Sequence, residues 1–68
     1  MRWRSLVRAH RPNSRSEAIP RTSPPRYQVV DGEEVLATQV ESTSIKAAWK
    51  QAWLYLEWQR RLRDRIQA

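Results

Sequence analysis

The residues of this chain best suited to chemistry are arginines set around a tryptophan: Arg2, Trp3, Arg4, Arg8, Arg11, Arg15, Arg21 and Arg26. Guanidinium groups strung along an extended segment follow a phosphate backbone or another acidic surface, and each contact releases counterions. Arginine-rich disordered segments also order on nucleic acid, and an indole between two cations stacks on a base or fills a pocket. The same composition equally describes a solvated tail that only keeps the chain soluble. Neither reading makes these residues reactive. Cysteine is absent, the one histidine is His10, and the serines and threonines fall mostly at turn and cap positions. A catalytic nucleophile needs a base within hydrogen-bond reach, and no such pairing can be read. Gly32 is the only glycine, which excludes a glycine-rich phosphate loop. With no thiolates, and with His10 and Glu17 isolated, no metal site and no cofactor is expected. The expectation is a protein that is not an enzyme.

A second candidate set lies nearer the C-terminus. At about 100° per residue, Gln51, Leu54, Trp58, Arg61 and Arg65 share one stripe of a helix with Ala47. The main apolar face lies elsewhere on that helix: Ile45, Ala48, Trp49, Ala52, Tyr55, Leu56, Leu62 and Ile66. A helix apolar on two sides is expected to be covered on two sides. Trp and Arg are favoured interface anchors, so the stripe reads as a docking seam for a protein partner or a second copy of the chain. The plainer reading lays Trp58 against Leu62 within a small fold. The arginines at 60, 61, 63 and 65 offset the negative end of the helix dipole, or else hold phosphate, with Asp64 partly neutralising them.

The elements that must position these residues follow from charge and pattern. Residues 1–26 hold seven arginines against the single acid Glu17, a net of +6, whereas residues 27–68 balance six bases with six acids. The division is a basic arm and linker over 1–26 and a neutral module over 27–68. Alternation over residues 2–8 allows a third strand, with Trp3, Ser5 and Val7 on one face. His10 to Arg26 contains all four prolines and reads as an extended, mobile linker. From Tyr27 the pattern changes to strand, the four-residue turn Asp31-Gly32-Glu33-Glu34 and strand, over about 27–30 and 35–41. The hairpin places Val30 opposite Val35 and Val29 opposite Leu36. Tyr27, Val29, Leu36, Thr38 and Val40 then share the buried face. Ser44 is the expected N-cap of a helix over about 45–67. The fold class is α+β: a small ββα unit, its hairpin packed on one long helix, with a basic, partly disordered arm.

Only 68 residues without disulfides give a core near the lower limit for independent stability, so a partner chain is the expected staple. No apolar run is long enough to span a bilayer, and acids interspersed among the bases argue against an interfacial helix. The absence of cysteine suits a cytoplasmic protein, while the arginine-rich, acid-poor start also fits a cleaved targeting segment.

Two resemblances attach to these residues. The run Tyr27-Gln28-Val29-Val30-Asp31-Gly32, the Ala47-Ala48 helix start and Tyr55-Leu56-Glu57-Trp58 resemble small phage-encoded ββα proteins, including anti-CRISPR proteins. That resemblance implies a binder that docks on host nucleic-acid machinery and inhibits it without chemistry. Strand, turn, strand and Ser42-Thr43-Ser44-Ile45-Lys46-Ala47-Ala48 are also similar to the C-terminal half of a double-stranded RNA-binding domain. That family's helix start is dense in lysine, and here only Lys46 and Lys50 stand there. The expected function is therefore docking on a host protein or nucleic-acid machine, with direct binding of RNA or DNA through the arm and the helix end as the alternative.

Overall fold

The computed structural model describes residues 2–67. The chain order is α1 (Trp3–His10), β1 (Ser14–Ala18), β2 (Tyr27–Asp31), β3 (Glu34–Gln39) and α2 (Ile45–Gln67). The strands form one antiparallel sheet in the order β1-β2-β3. Helix α2 lies against this sheet and α1 lies against α2. The fold is α+β, with the hairpin on the long helix.

The hairpin forms where the turn chemistry demands it. Asp31 pairs with Glu34, so the loop is the two residues Gly32-Glu33 and not the four expected, the strands reaching one residue further on each side. Gly32 has φ of +62°, whereas Glu33 stays at negative φ, so the turn has the type II′ form with glycine at its first central position. Val30 opposes Val35, but Val29 opposes Ala37, not Leu36, because the register shifts there. Leu36 is the extra residue of a β-bulge, so Leu36 and Ala37 both turn toward the helices. One consequence is that Thr38 leaves the face expected for it and pairs with Gln28 on the outer side. Val40 lies beyond the strand, 57% exposed.

Residues 2–8 are not a third strand; they begin α1. Trp3, Val7 and His10 recur at i, i+4 and i+7, the helical period. Val7 is fully buried with Val29, Leu36, Ala37, Ala48, Trp49 and Ala52, and Trp3 packs against that cluster. His10 meets Trp53 with ring centroids 5.3 Å apart. The helix stops because Pro12 steers Arg11 out of helical geometry, to φ −132° and ψ 81°.

The third strand comes instead from the stretch expected to be a mobile linker. Ser14–Ala18 pairs along the open edge of β2, from Ser14 opposite Asp31 to Ala18 opposite Tyr27. Its sequence has little strand propensity, and what holds it is partner supply. The Gln28 amide donates to its cross-strand partner Glu17 at 2.7 Å. Ser14 is buried, and its hydroxyl and amide both donate to the Arg11 carbonyl. The connection to β2 is also tied down. Ile19 N–H donates to the Arg26 carbonyl at 2.8 Å. The Thr22 hydroxyl donates to the Ile19 carbonyl and accepts from Arg26 N–H.

Helix α2 begins at the expected cap, where Ser44 Oγ accepts from Ala47 N–H at 3.3 Å. Its 23 residues are about 35 Å long, against roughly 20 Å for the six residues of β3. Ala48, Trp49 and Ala52 are buried, Tyr55 and Leu56 half-buried, and every residue from Arg60 to Ile66 is exposed. The apolar face assigned to the whole helix is thus used only in its first half. Ile45, Leu62 and Ile66 are not covered.

If α1 belongs to the folded core, Val7→Ala lowers unfolding free energy by about 2 kcal/mol, the loss of two buried methyl groups and the space they leave. Urea denaturation followed by tryptophan fluorescence measures it. An unchanged midpoint would return α1 to the status of a tether.

Candidate functional site

The structure divides the eight N-terminal candidates into structural residues and free ones. Arg11 is structural. Asp31 and Glu34 face each other at the hairpin end, a like-charged cross-strand pair that is destabilising by itself. A single guanidinium nitrogen of Arg11 reaches both, 3.0 Å from Asp31 Oδ2 and 2.7 Å from Glu34 Oε1. These bonds, that to Glu34 first and that to Asp31 next, push the Arg11 pKa above its ordinary value. Arg15 lies 3.4 Å from Glu17 on the outer face of the sheet. Arg8 donates to the Pro12 carbonyl at 3.5 Å, and Arg26 donates to the Val40 carbonyl. Arg21 is exposed in the Pro20-Arg21 turn at φ +64°, a backbone region that favours glycine.

Arg2 and Arg4 share that freedom but stand together. Neither has a side-chain hydrogen bond or ion pair among the described residues, and both turn toward α2. With Trp3 and Ser5 they form one wall of an open hollow of about 420 Å³. Ile45, Lys46 and Trp49 form the other wall. Neither helix has an acid in its first turn, so among the described residues nothing lining the hollow offsets the three cations. Lys50 Nζ stands 5.9 Å from the centre of a Trp3 ring, which helps hold that indole in place. Lys46 is the member that sequence reasoning missed. Its neighbours Arg2 and Arg4 are some forty positions away, and only the α1–α2 contact brings them together.

The stripe expected on α2 is split between two hollows. Gln51 and Leu54 line one of about 430 Å³ beside β3, with Thr38, Val40, Ala47 and Lys50 among its walls. Trp58 lines another of about 440 Å³ with Arg11, Gln59, Leu62, Arg63 and Ile66. Trp58 stacks on Tyr55 at 6.2 Å and remains 58% exposed. Arg61 and Arg65 are exposed beside it. The new grouping, Trp58 with Leu62 and Ile66, follows i, i+4 spacing. It was legible in the sequence, but Leu62 and Ile66 were assigned to a core that ends before reaching them.

Among the described residues no three His, Cys, Asp or Glu side chains come together, and no helix is long and apolar enough to cross a membrane.

Arg11→Met removes the bridge and leaves Asp31 and Glu34 opposed. The expected loss of unfolding free energy is about 1–2 kcal/mol, the scale of charge-assisted bonds at a partly exposed site. Glu34→Gln added to that variant relieves the repulsion and recovers part of the loss in the same urea titration.

Comparison with known proteins found no matching family model, no matching curated protein and no matching solved structure.

Proposed function

We propose that this chain is a small non-enzymatic binding protein that docks on a protein partner through the far half of α2. The observation that carries this reading is the uncovered ladder of Trp58, Leu62 and Ile66, which are 58%, 41% and 77% exposed. Burying three such side chains is favourable by several kcal/mol in total, at about 1.5–3 kcal/mol for each fully covered one. A tryptophan with flanking arginines is the usual composition of an interface centre. Arg61, Arg63 and Arg65 surround the ladder, and among the described residues Arg60 is the one arginine of this end paired with an acid, Glu57 at 3.5 Å. The complementary surface is an apolar groove rimmed by Asp and Glu.

The resemblance to small phage-encoded proteins supports a host protein or nucleic-acid machine as the partner, modulated or inhibited by occlusion. Charge argues against a second copy of this chain, since two basic helix ends repel. The alternative in which an extended arm and the helix end jointly grip phosphate loses support, because Arg8, Arg11, Arg15 and Arg26 serve the fold.

Trp58→Ala costs about 1 kcal/mol of stability at most, the loss of its stacking on Tyr55 being partly offset by the higher helix propensity of alanine. It weakens partner capture from a host lysate at least about tenfold, the effect of losing an interface anchor. The pull-down is run with and without nuclease, the bound protein being identified by mass spectrometry. Capture that survives Trp58→Ala but is lost with nuclease would reject the docking helix.

A further inference from the structure

We infer that the hollow between the starts of α1 and α2 binds a single nucleic-acid strand, independently of the docking surface at the other end of α2. Arg2, Arg4 and Lys46 line it, and none has an ion-pair partner among the described residues. The remaining arginines of the N-terminal half are mostly engaged: Arg11 and Arg15 with carboxylates, Arg8 and Arg26 with backbone carbonyls. Arg21 is the exception, exposed in its turn with no side-chain partner among the described residues, so Arg2 and Arg4 are the unpaired N-terminal cations that the fold brings together, beside Lys46.

The walls between those cations are apolar and include two indoles, Trp3 and Trp49. Trp49 is buried and serves as floor, whereas Trp3, packed on the core with Lys50 over one ring, is half-buried and keeps only part of its surface accessible. A nucleic-acid strand presents alternating charge and flat π faces, which match a cationic rim around an accessible indole. Carboxylates of an acidic peptide would meet the cations but offer nothing flat to the indole. A duplex keeps its bases stacked on each other, so its π faces are not available to Trp3. The volume of about 420 Å³ is that of a site for a nucleotide-sized group.

The test is fluorescence anisotropy of a labelled oligothymidylate of about ten nucleotides, within the range of site sizes for single-strand binders. Wild type is expected to bind at about 50 mM salt, with a slope of log affinity on log salt near −2 for three phosphate contacts. The variant Arg2→Ala/Arg4→Ala, both positions exposed, is expected to lose on the order of tenfold in affinity and to flatten the slope. Arg61→Ala/Arg65→Ala removes the same charge from the other end of α2 and is expected to cost less than about threefold. Circular dichroism of each variant confirms that the fold is retained. Equal losses in the two double variants would reduce the effect to net charge and overturn the site. So would displacement of the oligonucleotide by polyglutamate, or by inorganic phosphate at matched ionic strength, as effectively as by unlabelled strand. Failure of this experiment leaves the docking helix untouched, because the Trp58 variant is read on a different ligand.

Discussion

The arrangement depends on one guanidinium held between two carboxylates. Asp31 and Glu34 close the hairpin end, and their mutual repulsion would open it. Arg11 cancels that repulsion from outside the hairpin. It also marks the end of α1, and its carbonyl accepts from both the hydroxyl and the amide of Ser14 at the start of β1. A single residue therefore joins the helix end, the strand start and the turn. Once that junction is made, the N-terminal third cannot be a free arm.

The two sides of the sheet divide the rest of the work, one mostly by polar bonding and the other mostly by apolar packing. The outer face carries Arg15, Glu17, Gln28 and Thr38 around the buried Val30, the partner of Arg15, with the Gln28–Glu17 bond linking β2 to β1. The inner face supplies Val29, and the bulge turns both Leu36 and Ala37 toward α2. Two adjacent residues thereby contribute to one core, a gain for a chain with so few apolar residues to spend. The core still covers only the first half of α2, which is why the apolar residues beyond it remain exposed.

The sequence made the hairpin and α2 legible because their signals are local: an Asp-Gly turn between β-branched residues, a serine cap and an unbroken helical period. Strand β1 had no such signal. Ser14-Arg15-Ser16-Glu17-Ala18 becomes a strand because β2 offers an unpaired edge and Gln28 a partner for Glu17. Helix α1 was hidden differently. The alternation of Trp3, Ser5 and Val7 imitates a strand, and His10, the residue that completes the helical period, looked like part of a linker. The candidate residues followed the same division. The exposure of Trp58 was readable from its place off the main apolar face. The meeting of Arg2 and Arg4 with Lys46 was not, because it depends on α1 packing across α2. The bulge was likewise silent, and it alone decides which side of the sheet Thr38 takes.

Helix α2 runs from Ile45 to Gln67 without a glycine or proline, so the ends of the molecule are related by a fixed screw operation. Lys46 and Ile66 are separated along the axis by about 30 Å, at 1.5 Å per residue. Adding or removing one residue in the middle of the helix would change that separation by only about 1.5 Å, yet would rotate one end about 100° relative to the other. Angular phase is then a much more tightly held variable than length. Whatever occupies the two ends of this helix must agree on direction before it agrees on distance.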